Sequence, residues 1–335
     1  MTTTSVSRGT WEPKRLLDDL ERLALRTPTR AEFFDEAALR LKRTVAFNGA
    51  CWHTLDPGSD LITEHRLQDL PDRFPILANN EYAVDDVNKF ADLARVKRKA
   101  ATMSEATAGH PERSPRFRDL LTPAGLGPEL RSSFVVDGTA WGALILVRRA
   151  GAPEFEERDI GLLAAASPLF ARAVRRGLIA EACDAAPDRA EAPGVVELDA
   201  SGALIRASSS AEPLLAELSG STAAAGLRLA SIHAVASATR MAIAGGGLSP
   251  REREVTQLTL RGATAVQTAQ RLEISPHTVN DHMKAIFEKT GARTRGELSA
   301  TLFFGEHLPR IQDRVEIGDD ASFIDAPRPR GLDPT

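Results

Sequence analysis

The chain has 335 residues, enough for two or three domains, and a 42% hydrophobic content that supports packed cores. Its formal net charge of −4 offers no general attraction for nucleic acid, and with Cys51 and Cys183 as the two cysteines there is no disulfide framework. No apolar run is long enough to span a membrane, and the opening MTTTSVSRGTWEP lacks a signal peptide's hydrophobic region, so a cytoplasmic protein without a membrane partner is expected.

Residues 1–12 are expected to be disordered, and a first domain is expected over 13–178. It opens on two helical stripes, Leu16, Leu17, Leu20, Leu23 and Ala24, then Phe33, Phe34, Ala37, Ala38 and Leu41 from a start near Thr29. Gly49 to Leu55 has strand composition and ends at the turn Asp56-Pro57-Gly58, with Leu61 to Leu67 as its returning partner. Pro71 to Pro128 is mixed and loop-rich, with no period that places its elements. Asp137-Gly138 between Arg131–Val136 and Thr139–Arg148 is a two-residue hairpin signal. The second of these strands is apolar at almost every position, as a strand buried on both faces is. A long helix follows from Phe155 to about Leu178, with Pro168 expected to bend it.

This α+β pattern, and most closely VDGTAWGALILVRR and FEERDIGLLAAASPLFARAV, resembles a GAF domain. The resemblance implies a sensor or dimerisation module. A small-molecule ligand is an expected partner, although no residue identifies one. Gly194 to Leu218 reads as strand, turn, strand and short helix and resembles the opening of a PAS domain. The Ala-, Gly- and Ser-rich residues after it leave no room for a full one, so 190–240 is expected to be a partial PAS-like αβ linker.

The last folded segment, 246–304, carries the strongest local signals. Ser249 with Glu252, Thr264 with Gln267 and Thr294 with Glu297 are capping boxes, and Ser275-Pro276 opens a further helix. Gly262 and Gly291 stand where a left-handed residue ends a helix. Four helices are expected, at about 250–261, 264–271, 276–290 and 294–304. In the third, Val279, Met283, Ile286 and Thr290 form an inward stripe, while His277, Asp281, Lys284 and Glu288 face away, with Asn280 on the flank. Only Leu272-Glu273-Ile274 separates this helix from the second. That is helix-turn-helix spacing, which presents the outer face to the major groove of double-stranded DNA.

LSPREREV, TAVQTAQRL, ISPHTVNDHMKAIFEKTGA and TRGEL together resemble the LuxR/FixJ/GerE-type DNA-binding domain. The resemblance implies an all-α four-helix fold. It also implies base contacts from Asn280, Asp281 and Lys284, and backbone contacts near Ser275, His277 and Thr278. The last helix would supply a homodimer contact, through Leu298, Leu302 and Phe303. Arg293 and Arg295 flank that helix's start and are further candidates for phosphate. Asn280 stands where a lysine is frequent, and Asp281 either accepts from cytosine or pairs with Lys284 along the helix. Eight basic residues against six acidic leave residues 248–304 at only +2, so one copy should bind DNA weakly and two copies on a two-part site should supply the affinity.

The tail, 305–335, is rich in Asp, Pro and Gly and is expected to be disordered. Gly245-Gly-Gly247 has no following Lys-Ser/Thr and is no phosphate cradle. Cys51 and His53 share one strand face but lack a second matching pair, which favours a core role over a metal or redox site. No catalytic constellation and no cofactor signature appear. The expected function is a sensor-controlled, sequence-specific transcription regulator; the alternative is a protein-interaction module whose four-helix domain no longer binds DNA.

Overall fold

Two helices lead into the first strand: α1 (Trp11–Arg26) and α2 (Arg30–Leu41), the latter capped by Thr29, whose hydroxyl accepts the Glu32 N–H. The computed structural model describes residues 11–26, 29–184, 196–198, 204–207, 248–317 and 323. β1 (Gly49–Leu55), β2 (Ile62–Gln68), β3 (Ala100–Thr102), β4 (Leu126–Val136) and β5 (Thr139–Arg149) form one antiparallel sheet in the order β2-β1-β5-β4-β3. The hairpin turns at Asp137-Gly138, with φ of 51° and 75°, the left-handed pair that matches strand twist. As its composition required, β5 is the central strand and is buried along most of its length.

Alternation along β1 sends side chains to opposite layers. Trp52 joins α1, α2 and the long α6 (Glu157–Asp184) on one face, stacking on Phe34 at 4.9 Å and meeting Phe170 edge-on at 5.5 Å. Ser167, just before Pro168, pins α6 to β4: its hydroxyl donates to Ser133 O and accepts from the Val135 N–H. Cys51 and His53 point to the other layer, against α3 (Phe74–Tyr82) and α4 (Phe90–Leu93). A sheet with helices on each face bears out the α+β expectation and resembles a GAF fold.

The stretch 71–128, which sequence pattern does not order, is held by buried ion pairs. It also carries the short α5 (Met103–Ala106). Arg116 is fully buried and donates to both Glu129 oxygens and to Asp86. Arg131, also fully buried, donates to Glu81 and Asn88 O and lies 4.2 Å over the Phe90 ring. Carboxylates from the loop and from α3 are thus tied to β4 by charge. Arg116→Ala should lower stability by about 3–5 kcal/mol, read by chemical denaturation, because Asp86 and Glu129 are left buried and uncompensated.

β6 (Val196–Leu198) and β7 (Leu204–Ala207) pair as the expected hairpin. The remainder of the PAS-like segment and residues 1–10 lie outside the described residues. Four helices then follow: α7 (Pro250–Leu260), α8 (Ala265–Leu272), α9 (Pro276–Thr290) and α10 (Arg295–Leu302). The chain does not end its fold at Phe304. A π-helical turn, Phe303–His307, runs into α11 (Leu308–Gln312), and Ile317 bridges to Phe323. This corrects the expectation of a disordered tail from Gly305. Phe303, His307 and Ile311 recur one turn apart and pack toward β2, where His307 Nδ1 meets Ile62 O at 3.2 Å.

The two halves share one apolar cluster, which passes from the β1 and β5 side chains through α3 into α7, α9 and α10. Phe303 stacks on Tyr82 at 4.2 Å and meets Phe74 at 6.2 Å. Arg95, just past α4, donates to Arg261 O at 2.8 Å and Leu260 O at 3.3 Å, carbonyls that the end of α7 leaves open. Asp60, in the β1–β2 turn, is buried close to Arg95, Arg261 and Arg295. Burial raises its pKa to about 6, against the opposing pull of those arginines. A raised carboxyl pKa favours the fold in acid, and that contribution is lost as pH rises through about 6. Asp60→Asn, which tolerates the same left-handed backbone, should therefore add roughly 2–3 kcal/mol at pH 7.5 and little at pH 3.5, in paired denaturation curves.

Candidate DNA-binding face

The four-helix unit is built from its caps inward. Ser249 accepts the Glu252 N–H, and Glu252 accepts the Ser249 N–H at 2.6 Å, closing the capping box that opens α7. Glu252 is buried, and its carboxylate also takes Lys289, at the far end of α9, at 2.7 and 2.8 Å. That contact and the Ser249 N–H hold Glu252 below the usual carboxylate range. The Glu252–Lys289 tie is invisible in sequence because its partners lie on different helices. Arg251 donates to Leu272 O and so joins α7 to the end of α8.

Between α8 and α9, Glu273 takes the left-handed conformation (φ 54°, ψ 41°), and the Ile274 N–H reaches back to Ala269 O. This non-glycine bend makes the tight turn of the helix-turn-helix. Ser275 then caps α9 through the Thr278 N–H at 3.0 Å, and its hydroxyl lies 2.8 Å from that of Thr278. Val279 and Ile286 are buried against the other helices, Met283 and Phe287 are half-buried, and Gly291 ends the helix at φ 73°.

The opposite face is open. His277, Asn280, Asp281, Lys284 and Glu288 are exposed, and Asn280, Lys284 and Arg293 line one shallow groove beside α9. Ser275, His277 and Thr278 gather at the helix N-terminus, where the first amide groups favour an anion. Asp281 forms no ion pair with Lys284; the nearby imidazole of His277, one turn earlier, lies 3.8 Å from its carboxylate.

Two groups of expected contact residues lie elsewhere. Arg295 donates to Leu260 O at 2.7 Å and faces the first domain, and burial, then the neighbouring Arg95, lowers its pKa. It is engaged at the domain junction, away from the α9 face. Leu298, Leu302 and Phe303, expected to form an open dimer contact, are buried at 0%, 3% and 0% exposure. The apolar side of α10 is covered within the chain itself, by α3 of the first domain and by α7 and α9 of its own unit.

The first domain holds a small cavity of about 50 Å³ between the sheet and α3, lined largely by apolar side chains including Leu67, Phe74, Leu77, Leu121, Ile145 and Val147. An apolar cavity that admits benzene is roughly 150 Å³, so this one is closed to organic molecules as it stands. Cys51 and His53 lie 3.3 Å apart and fully buried; burial pushes the thiol well up and the imidazole well down, which leaves an inert core pair. Among the described residues no cluster of His, Cys, Asp or Glu is arranged to hold a metal, and no helix is long and apolar enough to cross a membrane.

Residues 247–301 match the family model of bacterial regulatory proteins, luxR family. Among solved structures, Escherichia coli SdiA is 16% identical over 86% of this chain and 95% of its own, with a TM-score of 0.33. The GAF domain/HD domain protein from Geobacter sulfurreducens is 19% identical over 50% of this chain and 94% of its own, with a TM-score of 0.31. The GAF domain of a Coxiella burnetii phosphoenolpyruvate-protein phosphotransferase is 13% identical over 49% and 92%, with a TM-score of 0.34. No curated protein matches the chain.

Val279 anchors α9 from beneath. Val279→Asp places a carboxylate at a position 1% exposed and should unfold the C-terminal unit, seen as lost helical ellipticity and lost protection of α9 amides in hydrogen exchange.

Proposed function

We propose that this chain, whose residues 247–301 are a LuxR-family DNA-binding domain, is a sequence-specific transcription regulator governed by its N-terminal domain. The observation that carries this reading is the division of α9 into a buried face that builds the helix-turn-helix and an exposed face bearing Asn280, Asp281 and Lys284. A bidentate amide suits adenine, a carboxylate accepts from cytosine N4, and lysine suits guanine. Ser275, His277 and Thr278 at the helix start, with Arg293 at the groove's edge, supply the phosphate contacts.

The reading is of a binding protein acting on double-stranded DNA in the cytoplasm, not of an enzyme. Two copies bind together, since a domain of net charge +2 gathers too few phosphates alone. The N-terminal domain takes the signal, and a small molecule would need the sheet–α3 cavity of about 50 Å³ to widen before it could enter. SdiA has been solved in complex with octanoyl-rac-glycerol, and that pairing is a property of SdiA.

Selection from random duplex DNA by the full chain should enrich a two-part motif; no enrichment at moderate salt would sink the proposal. On the enriched duplex, Lys284→Ala should weaken binding by about 1–3 kcal/mol and relax preference at one position of each half-site. Equal affinity and an equal salt slope would place the reading face elsewhere.

A further inference from the structure

We infer that the cleft between the edge strand β2 and the C-terminal extension is a binding site for a small zwitterion with an apolar body, of the class of a short apolar peptide with both ends free. The inference goes beyond the regulator reading and does not depend on it, since no DNA enters the argument.

The cleft has a volume of about 810 Å³. That lies within the roughly 300–1,000 Å³ of clefts that enclose small organic ligands, and far exceeds the cavity beneath α3. One wall is formed by residues 63–66 of β2 with Asp72 and Phe74, beside Arg30 and Glu181. The facing wall is α11 and the residues after it, 308–317. This second wall lies beyond residues 247–301, so the cleft belongs to this chain rather than to the family module.

The sheet wall offers carboxylates. Arg30 is buried and donates to both oxygens of Glu181 at 2.6–2.9 Å, then to Thr54 at 3.0 Å, with Glu64 Oε2 at 2.8 Å. Arg66 is held by both oxygens of Asp35. Both cations are thus engaged. The Glu64 side chain stays 39% exposed, and its Oε1 accepts no hydrogen bond among the described residues. Asp72 is 67% exposed on the same wall. Between them His65 lies flat on Phe74, with ring centroids 3.9 Å apart and planes 4° from parallel. Burial lowers the His65 pKa, so at neutral pH this ring is an uncharged surface.

The tail wall offers the opposite charge and an apolar patch. Arg314 is exposed and has no ion-pair partner among the described residues, while Glu316, two residues on, is engaged. Leu308, Ile311 and Val315 line the cleft half-buried, with apolar surface left to cover. A ligand of one charge would leave the facing wall unpaired. A free amino acid carries its two charges on adjoining groups, whereas their complements here stand on facing walls. Two residues in extended form set an ammonium and a carboxylate roughly 7 Å apart, with apolar side chains between.

The test is calorimetric titration of the full-length protein with the dipeptide Leu-Phe, its C-terminal amide and its N-acetyl form. One Leu-Phe should bind per chain, and each blocked form should bind about tenfold more weakly. Arg314→Gln should make Leu-Phe bind no better than its amide. Glu64→Gln should erase the preference for Leu-Phe over the acetylated form, with Arg30 still held by Glu181. Unchanged amide exchange in β5 would show that both variants remain folded. If neither substitution alters any affinity, the dipeptide binds elsewhere and the inference fails. If the amide binds as tightly as the free dipeptide, Arg314 takes no carboxylate and the zwitterion class is wrong. Absence of binding by all three at millimolar concentration overturns the site itself. A second copy as occupant would appear as a ligand-free dimer in sedimentation that Arg314→Gln dissociates, and that result also overturns the inference.

Discussion

α3 is asked to cover two surfaces at once, and much of the molecule follows from that. It is nine residues long, and Phe74, Leu77, Ala78, Asn80, Glu81 and Tyr82 are all buried. One side closes the sheet layer that α6 does not reach; the other receives Phe303 from the turn that follows α10. Apart from the exposed Ile76, its apolar side chains are covered, so the helix cannot shift without exposing hydrophobic area in one domain or the other. At roughly 25 cal/mol per Å², uncovering even one aromatic side chain of that kind is a matter of a few kcal/mol. The junction is consequently part of the core rather than a loose contact between surfaces.

The first domain uses apolar packing on one layer and charge on the other. Behind the sheet, rings interlock around Trp52. In front, two buried arginines meet three buried carboxylates, Asp86, Glu81 and Glu129. Such pairs add little net stability, since desolvation consumes most of the attraction, but they tolerate only one arrangement. They fix a segment without repeating secondary structure, and they hold α3 against β4 through Arg131 and Glu81. The ionic layer therefore sets where α3 sits, and α3 sets where the DNA-binding domain docks.

This explains what the sequence reveals and what it conceals. The helix-turn-helix is legible almost to the residue, because caps, terminal glycines and the Val279–Ile286 stripe are local signals. β1, β5 and the Asp137-Gly138 turn are legible for the same reason. The stretch from Pro71 to Pro128 is not, since its order comes from charges paired across 13 to 50 positions of chain. The end of the fold is hidden in the sequence because Phe303, His307 and Ile311 are spaced among Gly305, Glu306, Pro309 and Arg310, which dilute the pattern. The exposed face of α9 is foreseeable from one helix alone. The fate of Arg295, Leu298, Leu302 and Phe303 is not, because an apolar helix side looks the same whether a second copy or the chain's own first domain covers it.

The stack of Phe303 on Tyr82 carries a consequence for how the molecule comes apart. One apolar cluster runs through both halves, so neither can open without leaving apolar surface of the other in water. The two halves therefore melt as one cooperative unit rather than in sequence.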